Sequence, residues 1–393
     1  MGRKVALLLF LILSPTVVFG WGAGGSSSTA TVSQSSESDL TFWVPFTDPD
    51  NPLTLLKGTG PLSFTRATTA TYVHPTTGLI TSAGTGVLRI ESNGALIEGA
   101  RTNIALQSAV LGTTWAASNI TIVDDNTTAP TGDNTAERLT ASAGNGTLLQ
   151  SITGTAAAYT FSIYLKRLTG TGNVDVRADN TTWSTCTINA STWTRCSVTA
   201  TLTDNTYAPG VRIVTSGDAV YAWGGQMEAG AFYSSYIPTT VAAVARNADE
   251  LTMPTSGNVS GSLGTAAFEF DYASNTEGGL LGLHTGATST VANIRASGME
   301  YHDGTNNALT TGALAATQPA LVGFGVRWGG ALVTGYLDGA KGVDAIFDGA
   351  FPVGVTAWIG RTADHLQPWG HIKNLRIWSR ALTDAEMVAV TTQ

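Results

Sequence analysis

The sequence predicts an all-β protein: two antiparallel jelly-roll β-sandwiches in tandem, preceded by an irregular N-terminal β lead-in. Three observations carry this. Apolar residues recur with period two in short stretches such as YTFSIYLKRL, VRIVTSG, AAFEFDY, LVGFGVRW and IKNLRIWS, the alternation of strands with one buried face. Clusters of Gly, Asn, Asp and Thr bound these stretches, as expected where short strands are joined by turns. Of the 393 residues, 43% are apolar and only 12% charged, about half the usual charged share, so Thr, Ser, Asn and Gly must meet most of the solvent.

The elements follow in chain order. Arg3 and Lys4, the apolar run Val5 to Leu13, Pro15 and the small-residue site ending at Gly20 have the layout of a secretory leader. A short retained anchor and a docking peptide are the alternatives. Residues 21–39 lack periodicity and read as a flexible tether. The lead-in covers 40–103, the first sandwich 104–240, a linker 241–249 and the second sandwich 250–393. Length supports this division, since 393 residues suit two or three domains. Asp303-Gly304 and Asp338-Gly339 are predicted hairpin turns, because Gly after Asp accepts the positive φ of a tight primed turn. SRALTDAEMVAV is the one good helical signal, with Thr383 as cap and Glu386 as its partner three residues on. Cys186 and Cys196, ten residues apart, suit facing positions on two hairpin strands; whether they pair or pack as two buried thiols stays open.

Gly224 to Thr240, GGQMEAGAFYSSYIPTT, lies at the seam between the sandwiches. Alternation puts Tyr221, Trp223, Gly225 and Met227 on one face, with the large rings in the sandwich core, and Gln226 and Glu228 on the other. Pro238 ends the strand. The stretch therefore reads as a closing strand and a rigid domain join, with Glu228 structural because no second carboxylate is visible across a cleft.

Several phrases resemble a family of bacteriophage virion proteins of the tail-fibre or head-fibre kind, often carried in prophages. In the lead-in they are FTRATTATYVHPTTGLI and ALIEGARTNIALQS; in the first sandwich they are APTGDNTAERLT, YTFSIYLK, STWTRCSVT and YAWGGQMEAGAFYSSYIPTT. Together they span Phe64 to about Asp249. The middle portion is also similar to the jelly-roll carbohydrate-binding modules attached to glycoside hydrolases. YLDGAK, AWIGRT and GHIKNLRIWSRALTDAEM resemble the late strands of laminin-G or concanavalin-like jelly rolls. The resemblance implies a virion surface protein, a fibre or spike subunit, whose lectin-like sandwiches bind host cell-surface glycans. Other virion proteins and further copies of the chain are its expected partners, with export or membrane association during assembly if the leader is used. An exported bacterial lectin and a ligand-free scaffold are alternatives.

The same resemblance puts Trp115, Trp193 and Trp223 in the sandwich core. Trp183, Tyr207, Tyr301 and Trp369 stand in polar, turn-rich surroundings instead. Sugar binding needs flat rings beside hydrogen-bonding groups, so these four are the candidate ligand surface; the alternative is that each packs under its own loop. The expected activity is binding without catalysis. Its enzymatic rival is a glycan depolymerase using Glu269 and Asp271 of FEFDYASNTE, which echoes the Glu-x-Asp-x-x-Glu pattern of concanavalin-like glycosidases. Here Ser274 occupies the third position and Glu277 lies three residues beyond it. The five His residues, His74, His284, His302, His365 and His371, form no paired-ligand spacing, so neither metal nor cofactor is expected. The net charge of −8 without a basic cluster argues against nucleic acid. Ser162, Ser197 and Ser379 lack a nucleophile elbow.

Overall fold

Alternating side chains and frequent turns have the outcome they predict: among the described residues, the regular structure is antiparallel strand apart from one short helix. The computed structural model describes residues 38–203, 206–275, 278–283, 290–362 and 367–393. The leader, nearly all of the tether, Glu277, His284 and His365 lie outside the described residues.

The first sandwich pairs two five-stranded sheets. One runs in the order Thr194–Thr201, Ala158–Thr169, Ala219–Ala229, Ala136–Ala141, Ile120–Thr127; the other runs Ser184–Thr185, Val174–Arg177, Gly210–Ile213, Gly146–Leu149, Ala116–Ser118. Phe161, Ile163 and Leu165 of the long strand point inward against Val174, Val176, Val211 and Ile213, as period two requires. Trp115 lies in this core beside Phe161, with Nε1 donating to the Leu106 carbonyl at 3.1 Å.

Alternation fails in Ala219–Ala229. Gln226 pairs with Ser162 and Trp223 with Tyr164, so Gly224 and Gly225 together oppose Ile163 in a β-bulge. Gly224 takes φ +71°, a conformation that glycine adopts without strain. Val220 and Ala222 enter the core before the bulge and Met227 after it. Trp223 is turned outward onto Tyr164 and Tyr236. Trp193 packs on that same outer cluster. Neither Trp223 nor Trp193 is thus a sandwich-core ring.

Cys186 and Cys196 are joined in a disulfide with a Cα–Cα distance of 5.8 Å. They do not face each other across a hairpin. Cys186 follows Ser184–Thr185 of one sheet, while Cys196 lies in Thr194–Thr201 of the other, so the bond staples the two layers.

The second sandwich has an eight-stranded sheet centred on Leu263–Tyr272, Gln318–Gly329 and Gly370–Trp378, and a seven-stranded sheet that includes Glu250–Pro254, Thr356–Ile359 and Gly278–Gly282. Most of the lead-in belongs to it. Leu40–Val44 and Gly94–Ile97 both pair with Gly370–Trp378, and Ser63–Thr65 pairs with Glu250–Pro254. Phe42, Val44, Phe64, Ile90 and Ile97 share one core with Phe268, Phe324, Trp328 and Ile377. The lead-in thus contributes strands and core side chains to the distant sandwich, and also carries a two-stranded sheet of its own, Ala70–Val73 with Ile80–Ala83. The linker contains a strand too, Val244–Arg246, paired with Arg101–Asn103.

Asp338-Gly339 makes the expected two-residue turn, with Leu337 opposite Ala340 and positive φ at both turn residues. Asp303-Gly304 instead opens a longer loop closed by His302 and Asn307, in which the Asp303 carboxylate accepts from the amides of Thr305 and Asn306. The helix Asp384–Thr391 starts at Thr383, whose side chain accepts from the Glu386 amide while Glu386 reaches back to the Thr383 amide.

Candidate functional site

Two of the four candidate rings are core residues. Tyr207 is fully buried against Tyr159, its hydroxyl donating to the Thr155 carbonyl at 3.0 Å. Tyr301 is buried edge-on to Phe351 and donates to the Ile346 carbonyl; burial pushes its hydroxyl up to about 12. Polar neighbours in sequence surround both, yet each strand turns its ring inward. Trp369 is half-buried at the seam, lying 4.4 Å from the Arg101 guanidinium and 5.4 Å from Phe232. Trp183 alone is held mainly by surface groups, half-exposed and 4.7 Å from each of the guanidiniums of Arg177 and Arg212. The structure does not bring the four together.

Rings do converge elsewhere. The hairpin of Ala70–Val73 and Ile80–Ala83 leans on the outer face of the first sandwich, where Thr71 donates to the Tyr236 carbonyl. Between them is a cavity of about 310 Å³ lined by Tyr72, Val73, Glu91, Glu98, Tyr164, Arg195 and the run Tyr233 to Tyr236. This volume is at the small end of ligand sites, about 300–1,000 Å³. Tyr72 and Tyr164 are half-buried and Tyr233 is 40% exposed. Arg195 sits 4.2 Å from the Tyr233 ring and 5.2 Å from Tyr164. A recess of about 510 Å³ beside Arg66 and Glu250 is larger, but its one ring, Phe64, is buried beneath the Arg66 guanidinium.

Beneath the cavity the stretch Gly224 to Thr240 is locked by polar contacts. Gln226 accepts from the Ile237 amide at 2.7 Å and donates to Glu228, which accepts from the amide and hydroxyl of Ser234. Glu98 accepts from the amide and hydroxyl of Ser235 and from Arg89 and Arg246, each guanidinium at 2.7 Å. Asp249 binds Arg66 at 3.0 Å, and also Arg89. Burial alone would raise the Glu98 carboxyl, but Arg246 and Arg89 outweigh it and hold the group well below the carboxylate range. Both oxygens of Glu228 are thus engaged by Gln226 and Ser234, and Ser235 is tied to Glu98 of the lead-in. Sequence reasoning missed the cavity because its rings come from three separate segments; the signal available was the aromatic density of TYV and FYSSY.

Glu269 and Asp271 have other occupations. Glu269 accepts from Asn374 Nδ2 at 2.6 Å. Asp271 lies 2.9 Å from His371 Nδ1 and accepts from Asn93 Nδ2 at 2.8 Å, while His371 Nε2 lies 3.2 Å from Glu91. Burial opposes a charge on this imidazole, yet hydrogen bonds to Asp271 and Glu91 raise it to about 9. The resulting Glu91–His371–Asp271 clamp ties the lead-in to the second sandwich and engages one oxygen of Glu91, a residue of the cavity wall. Among the described residues, no group of three or more His, Cys, Asp and Glu side chains is placed to hold a metal ion.

No protein-family model matches the chain, and no curated protein does. Among solved structures, it is similar to domain 4 of AbnA, a GH43 extracellular arabinanase from Geobacillus stearothermophilus in complex with arabinotriose, at 13% identity and a TM-score of 0.31 over 42% of this chain and 84% of that chain. The tandem CBM22-1–CBM22-2 domain of Paenibacillus barcinonensis Xyn10C is 8% identical, with a TM-score of 0.27 over 70% of this chain and 97% of that one. Mouse laminin α1 domains LG4-5 are 10% identical, with a TM-score of 0.24 over 62% and 89%.

Proposed function

We propose that this chain is a virion surface protein, a fibre or spike subunit, that binds a host cell-envelope glycan in the cavity beneath Tyr72, Tyr164 and Tyr233 without breaking a bond in it. The observation that carries the binding reading is this convergence of partly exposed rings around a cation and backbone-anchored polar groups. A pyranose presents C–H faces that stack on rings and hydroxyls that need fixed donors and acceptors. The virion assignment is supported by the phrases between Phe64 and Asp249 that resemble phage fibre proteins. Single sites of this size bind weakly, so display on several copies of the chain supplies the avidity. The non-catalytic reading is supported by the engagement of Asp271 with His371 and Asn93 and of Glu269 with Asn374, which leaves the depolymerase pair tied to neighbouring side chains.

A glycan array of bacterial capsular and lipopolysaccharide oligosaccharides tests this. Purified protein should bind a subset of the array, and Tyr233→Ala should weaken binding about tenfold, the loss of one stacking contact. Trp183→Ala should leave it unchanged. New reducing ends that appear with the wild-type protein and vanish in Glu269→Gln would establish the depolymerase instead.

A further inference from the structure

We infer that the saccharide taken by this cavity is acidic, its carboxylate meeting the guanidinium of Arg195. The inference rests on the sugar-binding reading above and adds the ligand's charge to it. Arg195 lies opposite Tyr164 in the pairing of Ala158–Thr169 with Thr194–Thr201, on the outer face of the sandwich. Its Nη1 donates to the Ser234 carbonyl at 2.8 Å and its Nη2 to the Ser162 hydroxyl at 3.1 Å, both neutral acceptors. Its Nε is buried with no hydrogen-bond partner.

The neighbouring cations are balanced differently. Arg66, Arg89, Arg101 and Arg246 each face a carboxylate within 4.0 Å. No carboxylate among the described residues stands within that distance of Arg195. The cavity's own acids cannot serve it, because Glu91 is taken by the Val73 amide and His371, and Glu98 by Ser235 and two arginines. Arg195 is therefore the cavity guanidinium that has no carboxylate partner among the described residues.

A guanidinium offers five donors in a planar fork; here Ser234, Ser162 and the Tyr164 hydroxyl, all neutral, engage it. Tyr233 and Tyr164 lie against it, which holds the fork in place before a ligand arrives. A planar carboxylate can take two parallel donors from such a fork, an interaction roughly twice as strong as a neutral hydrogen bond. A neutral hexose would leave the cation without a counter-charge in a half-buried site. Uronic acids and other carboxylated sugars satisfy both the rings and the charge.

The test is a calorimetric titration of the full chain with a panel of acidic bacterial capsular oligosaccharides, each paired with its carboxyl-reduced form. At least one acidic oligosaccharide should bind tenfold or more tightly than its reduced partner. Arg195→Gln should abolish that preference, so that acidic and reduced forms bind it equally, and Arg195→Lys should keep part of it. An unchanged melting temperature shows that each variant is folded. Equal binding of acidic and reduced forms, or a preference that survives Arg195→Gln, would overturn the inference and leave the sugar-binding reading intact. No binding by any member of the panel would overturn both.

Discussion

Glu137 lies buried in the first sandwich, accepting from the Leu111 amide at 2.6 Å. Burial dominates that hydrogen bond, Asp124 adds like charge, and the carboxyl is raised to about 7. The folded state therefore holds a proton that the unfolded chain releases near the ordinary glutamate value of 4.5. The favourable protonated state is fully present below that value and is lost as pH rises through about 7, so stability falls across this window. Glu137→Gln keeps an acceptor for Leu111 and removes the charge. Its melting temperature should exceed that of the wild type at pH 8 and match it at pH 4.5; a variant less stable at both would refute this. At the residue scale, chemistry was legible in the sequence but burial was not. Glu228 was readable as structural because it lacks a partner carboxylate, whereas Tyr207 and Tyr301 stand among polar neighbours that hide their inward direction.

Strand existence was legible from period two, and the register of Ala219–Ala229 was not. The two glycines of its bulge exchange the inward and outward faces, which sends Trp223 to Tyr236 and away from the core. Nothing in an alternating pattern marks where such an extra residue falls. The disulfide is a second feature settled between elements. It joins two sheets across ten residues of sequence separation, a closure worth roughly 2–4 kcal/mol through the unfolded chain. Cys186→Ser with Cys196→Ser should lower the stability of the first sandwich by about that amount in denaturant titration. Unchanged stability would mean that packing of Phe161, Val176 and Leu165 alone fixes the layers.

Across the whole molecule, the lead-in matters most. Its strands complete the second sandwich, and its hairpin forms one wall of the cavity on the first. Sequence distance concealed this, since pairings such as Phe42 with Ile377 join residues far apart in the chain. Arg66, Arg89, Arg246, Glu98 and Asp249 fasten the arrangement from within. Removing one member of a buried ion network strands its partners, at a cost of about 3–5 kcal/mol. Asp249→Asn should therefore destabilise the protein by that order in calorimetry and weaken saccharide binding with it, while intact stability would show that the join is held by apolar packing instead. The most direct measurement is a crystal structure of the full chain with the tightest-binding oligosaccharide of the array. The account predicts an uncleaved sugar between Tyr72, Tyr164 and Tyr233, and a ligand seated on Trp183, or found cleaved beside Glu269, would contradict it.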